Sequence, residues 1–303
     1  MSFFSKFIAA TIPFVPRPIV GYFARPYIAG ETLEDGVRVV RELNAKGIMA
    51  TMDVLGESVN FRDEALEMRR QCEEVLHAIN EHKLDSNLSI KPTQLGLAMD
   101  PAFFEENIRH LLDIARGYDN FIRLDMEDHP YTDSTLDMYK RLRRDYGNRH
   151  VGVVLQAYLH RTEDDLKDLI SDGKTNIRLC KGIYVEPVEI SYRDRGKVQE
   201  NFNQLLDLGL REDVYIGIAT HDDVLLEHAL HRVQEMGLKR EDYEFQMLLG
   251  VRERRRDQIV DMGHRLRIYV PFGDQWYAYS TRRLKENPSM AMHVVKAIFG
   301  INK

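Results

Sequence analysis

Residues 121–158, F-I-R-L-D-M-E-D-H-P-Y-T-D-S-T-L-D-M-Y-K-R-L-R-R-D-Y-G-N-R-H-V-G-V-V-L-Q-A-Y, carry the pattern that decides the fold. A β-rich run from Phe121 to Glu127 gives way to an amphipathic stretch from Ser134 to Arg144, and a second apolar run follows from Val151 to Tyr158. Strand, helix of three-to-four periodicity and strand again is the repeating unit of a parallel sheet.

Outward from this stretch the unit recurs in both directions. Further strands are expected at Gly47 to Leu55, Leu88 to Lys91, Asn176 to Gly182, Val214 to Thr220, Tyr243 to Leu248 and Leu266 to Val270. Between them lie helical patterns such as Arg62 to His82, Pro101 to Arg116 and Asp222 to Met236. Eight strands alternating with helices predict an α/β protein of the (βα)8 barrel type. A doubly wound sheet is the competing architecture, but no strand runs into a G-x-G-x-x-G phosphate loop. The absence of a Ser/Gly-rich linker or low-complexity tract argues for one domain, read as an N-terminal helical segment, 1–45, packed on a barrel spanning 46–303.

The 303 residues are 44% hydrophobic and 30% charged, enough for one large buried core. A net charge of −6 provides no positive field for a polyanion, so nucleic acid is excluded as the expected partner. Two cysteines, Cys72 and Cys180, suggest no disulfide framework and fit a reducing cytoplasm. The apolar start, M-S-F-F-S-K-F-I-A-A-T-I-P-F-V-P-R-P, is broken by Pro13, Pro16 and Pro18 and falls short of the roughly 20 apolar residues of a membrane span. Short helices on the outside of the barrel are the expectation. Peripheral attachment to the inner face of the cell membrane is the alternative.

Active sites of such barrels lie at the carboxyl ends of the strands, and here those ends are rich in polar groups. Lys91, Asp125, Gln156, Arg178, Lys181, Thr220, His221, Gln246 and Tyr269 all fall at or near a strand end. Singly, each is as readily a solvated rim residue or a structural ion pair. Together, Lys91, Lys181, Arg178 and Asp125 suit a concave site for an anionic substrate beside a polar cofactor. Side chains alternate along a strand, so Arg178 and Cys180 face one way and Leu179 and Lys181 the other. A buried cation needs a buried partner, and Asp125 is a natural one. Trp276 to Pro288 is a helical pattern that Pro288 interrupts, in which Glu286 can brace Arg282 or Arg283; periodicity alone would make this an exposed charged face.

The motifs R-L-C-K-G-I-Y at 178–184, E-F-Q-M-L at 244–248 and Y-V-P-F-G-D-Q-W-Y-A-Y-S-T-R-R-L-K-E-N-P at 269–288 resemble proline dehydrogenase, and the similarity extends over essentially the whole chain. The resemblance implies a distorted (βα)8 barrel that holds FAD non-covalently, with the final helix over its mouth. It implies oxidation of L-proline to 1-pyrroline-5-carboxylate by hydride transfer to flavin N5, with a quinone as electron acceptor. Lys91, Arg282 and Arg283 would bind the proline carboxylate, and Glu286 would hold an arginine in place. Asp125 would pair with Lys91 and support the site electrostatically, and Arg178 would stand near the flavin N5. Met126, Gln156, Lys181, Gly182, Ile183, Thr220, His221 and Gln246 would contact FAD. Tyr269, Tyr279 and Leu248 would line the ring pocket, the bulk of Tyr269 favouring proline over its hydroxylated analogue. Cys180 and Ile183 stand where Val and Ala are commoner in the family, Phe272 replaces a frequent Tyr, and Asn287 interrupts an expected E-R-P.

Three rival readings remain open on the sequence. Lys91 or Lys181 could be the amine of a Schiff-base lyase or aldolase on the same barrel. His221, His228 and His231 could serve a metal-dependent hydrolase, although the sequence lacks H-E-x-x-H and the second and third suit a helix surface. The run Arg252 to Asp257 could belong to a binding module, although its interspersed acids favour a solvated face.

Overall fold

The computed structural model describes residues 21, 25–56, 59–277 and 279–280. Eight parallel strands close into one barrel in sequence order: β1 (Met49–Val54), β2 (Ser86–Ile90), β3 (Ile122–Leu124), β4 (Val151–Gln156), β5 (Asn176–Cys180), β6 (Tyr215–Ala219), β7 (Tyr243–Leu248) and β8 (Leu266–Phe272). The helices are α1 (Leu33–Asn44), α2 (Arg62–Glu81), α3 (Pro101–Gly117), α4 (Thr132–Tyr146), α5 (Thr162–Ser171), α6 (Arg195–Arg211), α7 (Asp223–Glu235) and α8 (Glu253–Asp261). No helix among the described residues is long and apolar enough to cross a membrane.

Closure depends on β1 pairing with both β2 and β8, the latter from Met49 opposite Arg267 to Val54 opposite Phe272. Helix α1, which precedes the first strand, packs against both β1 and β8 and buries Val37, Val40 and Leu43 there. Its start is fixed by a capping box in which Thr32 and Asp35 each bind the other's backbone N–H.

The predicted strands are all present, with shifted ends. Only Ile122–Leu124 of the expected Phe121–Glu127 run pairs as a strand. The Asp125 N–H still reaches the Ile90 carbonyl at 2.8 Å, but Glu127 turns its carboxylate to the Thr93 backbone N–H and hydroxyl at 2.8 and 2.6 Å, leaving the ladder. Conversely, β8 runs on through Pro271 to Phe272: proline lacks only a donor, and its carbonyl accepts from Ala29 N–H at 2.9 Å.

Side-chain alternation separates two environments. Leu88, Leu124, Val153, Leu179, Ile218, Phe245 and Ile268 are buried in the apolar layer. The alternate positions, Asp53, Ser89, Arg123, Gln156, Arg178, Glu244, Gln246 and Arg267, are also buried but polar. They lie inside the barrel, since their hydrogen bonds span strands that are not neighbours: Arg178 of β5 binds Gln246 of β7 and Ser89 of β2. Barrel interiors are ordinarily filled by branched aliphatic side chains. A polar filling needs extra room, and glycine supplies it on alternate strands. A Cβ on Gly152 would stand 2.4 Å from Arg123 Nη1 and 2.7 Å from the Asn176 carbonyl, and one on Gly217 2.4 Å from Gln246 Nε2.

Gly152→Ala should therefore destabilise the fold by about 1–3 kcal/mol, because backbone and a pinned guanidinium must both yield. The midpoint of denaturant unfolding measures this, and an unchanged midpoint would show that the packing there is slack.

Candidate functional site

At the carboxyl ends of β1, β2, β3, β5, β7 and β8, one connected set of polar groups joins across the barrel. Lys91, just past β2, places its ammonium 2.9 and 3.1 Å from the two carboxylate oxygens of Asp53, next to last in β1. Asp125, just past β3, lies 3.9 Å from the same ammonium through Oδ2. The expected Lys91–Asp125 pairing is thus the looser of two, and Asp53 is the closer partner. Asp53 had not been singled out, although it is the one charged residue in the first strand and lies on the same alternation as Thr51.

Asp125 is a junction. Its Oδ1 accepts from Arg178 Nη1 at 2.6 Å and from the Ser89 hydroxyl at 2.7 Å; its Oδ2 accepts from the Tyr269 hydroxyl at 2.9 Å. Arg178 also donates through Nε to Gln246 Oε1 at 2.6 Å and stacks over the Tyr269 ring at 5.2 Å. Six strand ends therefore supply one network, and Lys91, Asp125, Arg178, Gln246 and Tyr269 from the sequence reading all belong to it.

Burial and the surrounding charges together shift the titratable groups of the network. Burial pushes the Lys91 pKa down, but the Asp53 and Asp125 carboxylates outweigh it and hold the ammonium above the ordinary lysine range. Burial raises the Asp53 carboxyl, with Lys91 drawing it back. Burial and the charges of Asp125 and Asp53 push the Tyr269 phenol well above its usual range, so it remains a hydrogen-bond donor. A Schiff-base role needs an amine that loses its proton readily. Lys91 is held the opposite way, and Lys181 is engaged with Asp222 at 3.2 Å.

The remaining expected residues fall into two groups. Gln156 is buried and donates to the Glu127 carbonyl at 3.0 Å, Met126 is buried beside it in sequence, and Thr220 accepts from the Asp222 N–H at 3.2 Å. Asp222 also draws Arg195 and Gln199, both at 3.0 Å. His221 accepts the Leu248 N–H through Nε2 at 2.9 Å, which assigns the ring proton to Nδ1. Gly182 adopts φ +103°, where only glycine is at ease, and a Cβ there would strike the Tyr158 ring at 2.1 Å. Ile183 is exposed. Tyr279 packs with Trp276 against Ile28 and Leu55. Arg282, Arg283 and Glu286 lie outside the described residues.

The histidines raised for a metal site have separate partners. His228 binds Asp207 at 2.9 Å and exposed His231 approaches Glu235 at 3.8 Å, each as a surface pair. In the run 252–257, Arg252 reaches the His221 carbonyl at 2.6 Å and Asp223 at 2.8 Å, and Arg256 pairs with Glu253 and Asp257, so these cations are tied to acids or backbone.

Two outcomes follow from the buried charges. Asp53→Ala leaves the Lys91 ammonium with only the longer contacts to the Tyr269 hydroxyl at 3.5 Å and Asp125 at 3.9 Å and should cost about 3–5 kcal/mol of stability, measured by denaturant unfolding. Beneath the network, burial raises the Glu244 pKa but the Arg267 guanidinium overrides it and brings the group down to about 2. A folded-state pKa below the unfolded value gives stability that is present at neutral pH and lost as pH falls through the folded value. Wild type should therefore lose stability relative to Glu244→Gln between about pH 5 and 2, and parallel pH profiles of the two proteins would contradict this.

Residues 37–296 match the family model described as proline dehydrogenase. The chain is 37% identical to proline dehydrogenase 1 of Bacillus subtilis subsp. natto over 275 residues, 91% of this chain and 90% of that one. It is 33% identical to the proline dehydrogenase of Deinococcus radiodurans over 300 residues, covering 95% of this chain and 96% of the relative. Among solved structures, proline utilization A from Bdellovibrio bacteriovorus inactivated by N-propargylglycine superposes with a TM-score of 0.79 at 24% identity, covering 86% of this chain and 32% of that longer one, which speaks to the fold alone. With a family match over most of its length and full-length relatives above 30% identity, the chain belongs to the proline dehydrogenase family.

Proposed function

We propose that this enzyme oxidises L-proline to 1-pyrroline-5-carboxylate with FAD as its bound cofactor and a quinone as the final electron acceptor. The observation that carries this reading is the Lys91 ammonium, held charged by two carboxylates at the barrel mouth, with the buried Arg178 guanidinium fixed on the other side of Asp125. The names of the relatives supply the substrate, and the charge arrangement suits it. Proline presents a carboxylate at one end and an aliphatic ring at the other. Fixed cations answer the first and the ring of Tyr269 the second.

The donors at the mouth also suit a flavin. Arg178 is buried and fixed at three points, Lys181 and Arg195 converge on Asp222, and the Gly182 turn needs a residue without a side chain. Met126, Gln156, Arg178, Lys181, Gly182, Ile183, Thr220, His221 and Gln246 would hold it. Bound FAD supplies the hydride acceptor, at its N5.

The chain's own residues do the rest by positioning and charge. Lys91, Arg282 and Arg283 clamp the carboxylate, with Glu286 bracing an arginine, so that the C5 hydrogen is presented in one direction. Tyr269, Tyr279 and Leu248 enclose the ring. The proline amine gives up one proton and C5 gives up a hydride, forming the C=N bond. Tyr269 is kept protonated and Asp125 already accepts from three donors, which leaves water as the proposed acceptor of the amine proton. Arg178 provides fixed positive charge where negative charge develops on hydride transfer, which lowers the barrier without reorganisation. Helix α1 of the N-terminal segment 1–45 packs on the barrel, while residues 1–20 and 22–24 of that segment lie outside the described residues; the enzyme works in the cytoplasm or against the inner face of the membrane.

An anaerobic absorption spectrum tests the assignment. The purified protein should be yellow and bleach on adding L-proline; a colourless protein trapped by borohydride with its substrate would instead establish the lyase. Arg282→Met should raise the proline KM by roughly 30-fold or more while flavin content is kept, since a charge pair to the substrate is lost. An unchanged KM would remove that arginine from the substrate clamp.

A further inference from the structure

The network at the mouth is continued downward by groups that touch no substrate-facing residue. Gln246 is the link. Its Oε1 lies 2.6 Å from Arg178 Nε and its Nε2 lies 2.5 Å from Glu244 Oε1. A guanidinium can only donate and a carboxylate can only accept, so these two contacts together dictate which way the amide points. Were Glu244 not an obligate acceptor, the amide could rotate and set its NH2 against Arg178, donor against donor.

Glu244 is itself immobilised. Arg267 donates to it through Nε at 2.7 Å and Nη2 at 3.1 Å, and the Tyr215 hydroxyl donates to Oε2 at 2.8 Å. The register places Gly217 of β6 level with both Arg178 of β5 and Glu244 of β7. Because that position has no side chain, the Gln246 amide can reach across it; a Cβ would stand 2.4 Å from Nε2. The carboxylate, the glycine and the amide make one device with a single output, the placement of Arg178 against Asp125.

We propose that Glu244 is a positioning residue for catalysis: by taking the amide N–H of Gln246 it turns the Gln246 carbonyl to Arg178 and so holds that guanidinium at Asp125 in the catalytic pose. The inference rests on the redox reading of Arg178, and it extends the functional set to Glu244, Gly217 and, behind them, Arg267 and Tyr215. A residue acting this way affects the chemical step and not the carboxylate clamp.

A double-mutant cycle on 244 and 246 separates this role from mere support of Arg267. Glu244→Gln frees the amide and should lower kcat for proline about tenfold with KM nearly unchanged. Gln246→Glu sets two carboxylates against each other and should lose about a hundredfold or more. Glu244→Gln combined with Gln246→Glu restores one donor facing one acceptor, and should recover at least about tenfold over Gln246→Glu alone. Arg267 loses its carboxylate in both proteins carrying Glu244→Gln, so a purely structural role makes the losses add, and additive losses would overturn the proposal. Gly217→Ala is the check that leaves the Arg267 pair whole: it should displace the amide and lower kcat in the same way, and wild-type kcat would also refute the idea. If proline fails to reduce the wild-type protein, the redox reading falls by itself. A crystal structure of Glu244→Gln then decides the geometry, since an Arg178–Asp125 contact still at 2.6 Å would show that Glu244 does not hold it.

Discussion

The carboxylate of Asp125 is the point through which the two halves of the site communicate. One oxygen takes Arg178 and Ser89, the other takes Tyr269 and stands near Lys91, so a single group sets the distance between Lys91 and Arg178. Two cations would repel if brought together in a half-buried cleft without it. Asp53 adds the second negative charge, so one buried and one half-buried carboxylate balance Lys91 and Arg178. The mouth keeps fixed positive groups that carry their own counter-charges and do not need bulk water to stay ionised.

This arrangement imposes a cost on the barrel that the sequence visibly meets. Charged and amide side chains occupy interior positions where aliphatic layers would be easier to pack, and each needs a partner because an unpaired buried polar group is expensive. Arg123 shows the limit: it is wholly enclosed, hydrogen-bonded to the Val153 and Asn176 carbonyls and the Asn176 side chain, and among the described residues faces no carboxylate within pairing distance. Burial, reinforced by the charge of Arg178, lowers its pKa to about 9. Gly152 and Gly217 are the compensations, giving up side-chain packing so that polar groups from neighbouring strands can cross the interior.

The same physics rules on the alternatives that the sequence left open. Lysine at a strand end is compatible with a nucleophilic amine or a fixed cation, and the choice depends on the charges around it. Two carboxylates at Lys91 favour the cation. Histidines at 221, 228 and 231 could have converged on a metal; each instead has its own partner, a backbone N–H for the first and a surface acid for the other two.

The fold was legible because periodicity is local. The alternation of β-rich runs with amphipathic stretches gave all eight strands, and each strand end could be inspected for chemistry without coordinates. Lys91, Asp125, Arg178, Gln246 and Tyr269 were found in that way. Missed were the ends of β3 and β8, where a carboxylate turned to a neighbouring loop and a proline carbonyl kept its bond. Missed too were Asp53 as the closer partner of Lys91 and Glu244 as the anchor of Gln246. The residues of these pairs are two positions apart in one case and 38 in the other, and nothing in either spacing announces a contact. The sequence by itself determined the strand order, the alternation and the polar character of the mouth, since these follow from neighbours along the chain. Which carboxylate meets which cation was decided only by closure of the barrel, because strand tilt and register set the distances across its interior.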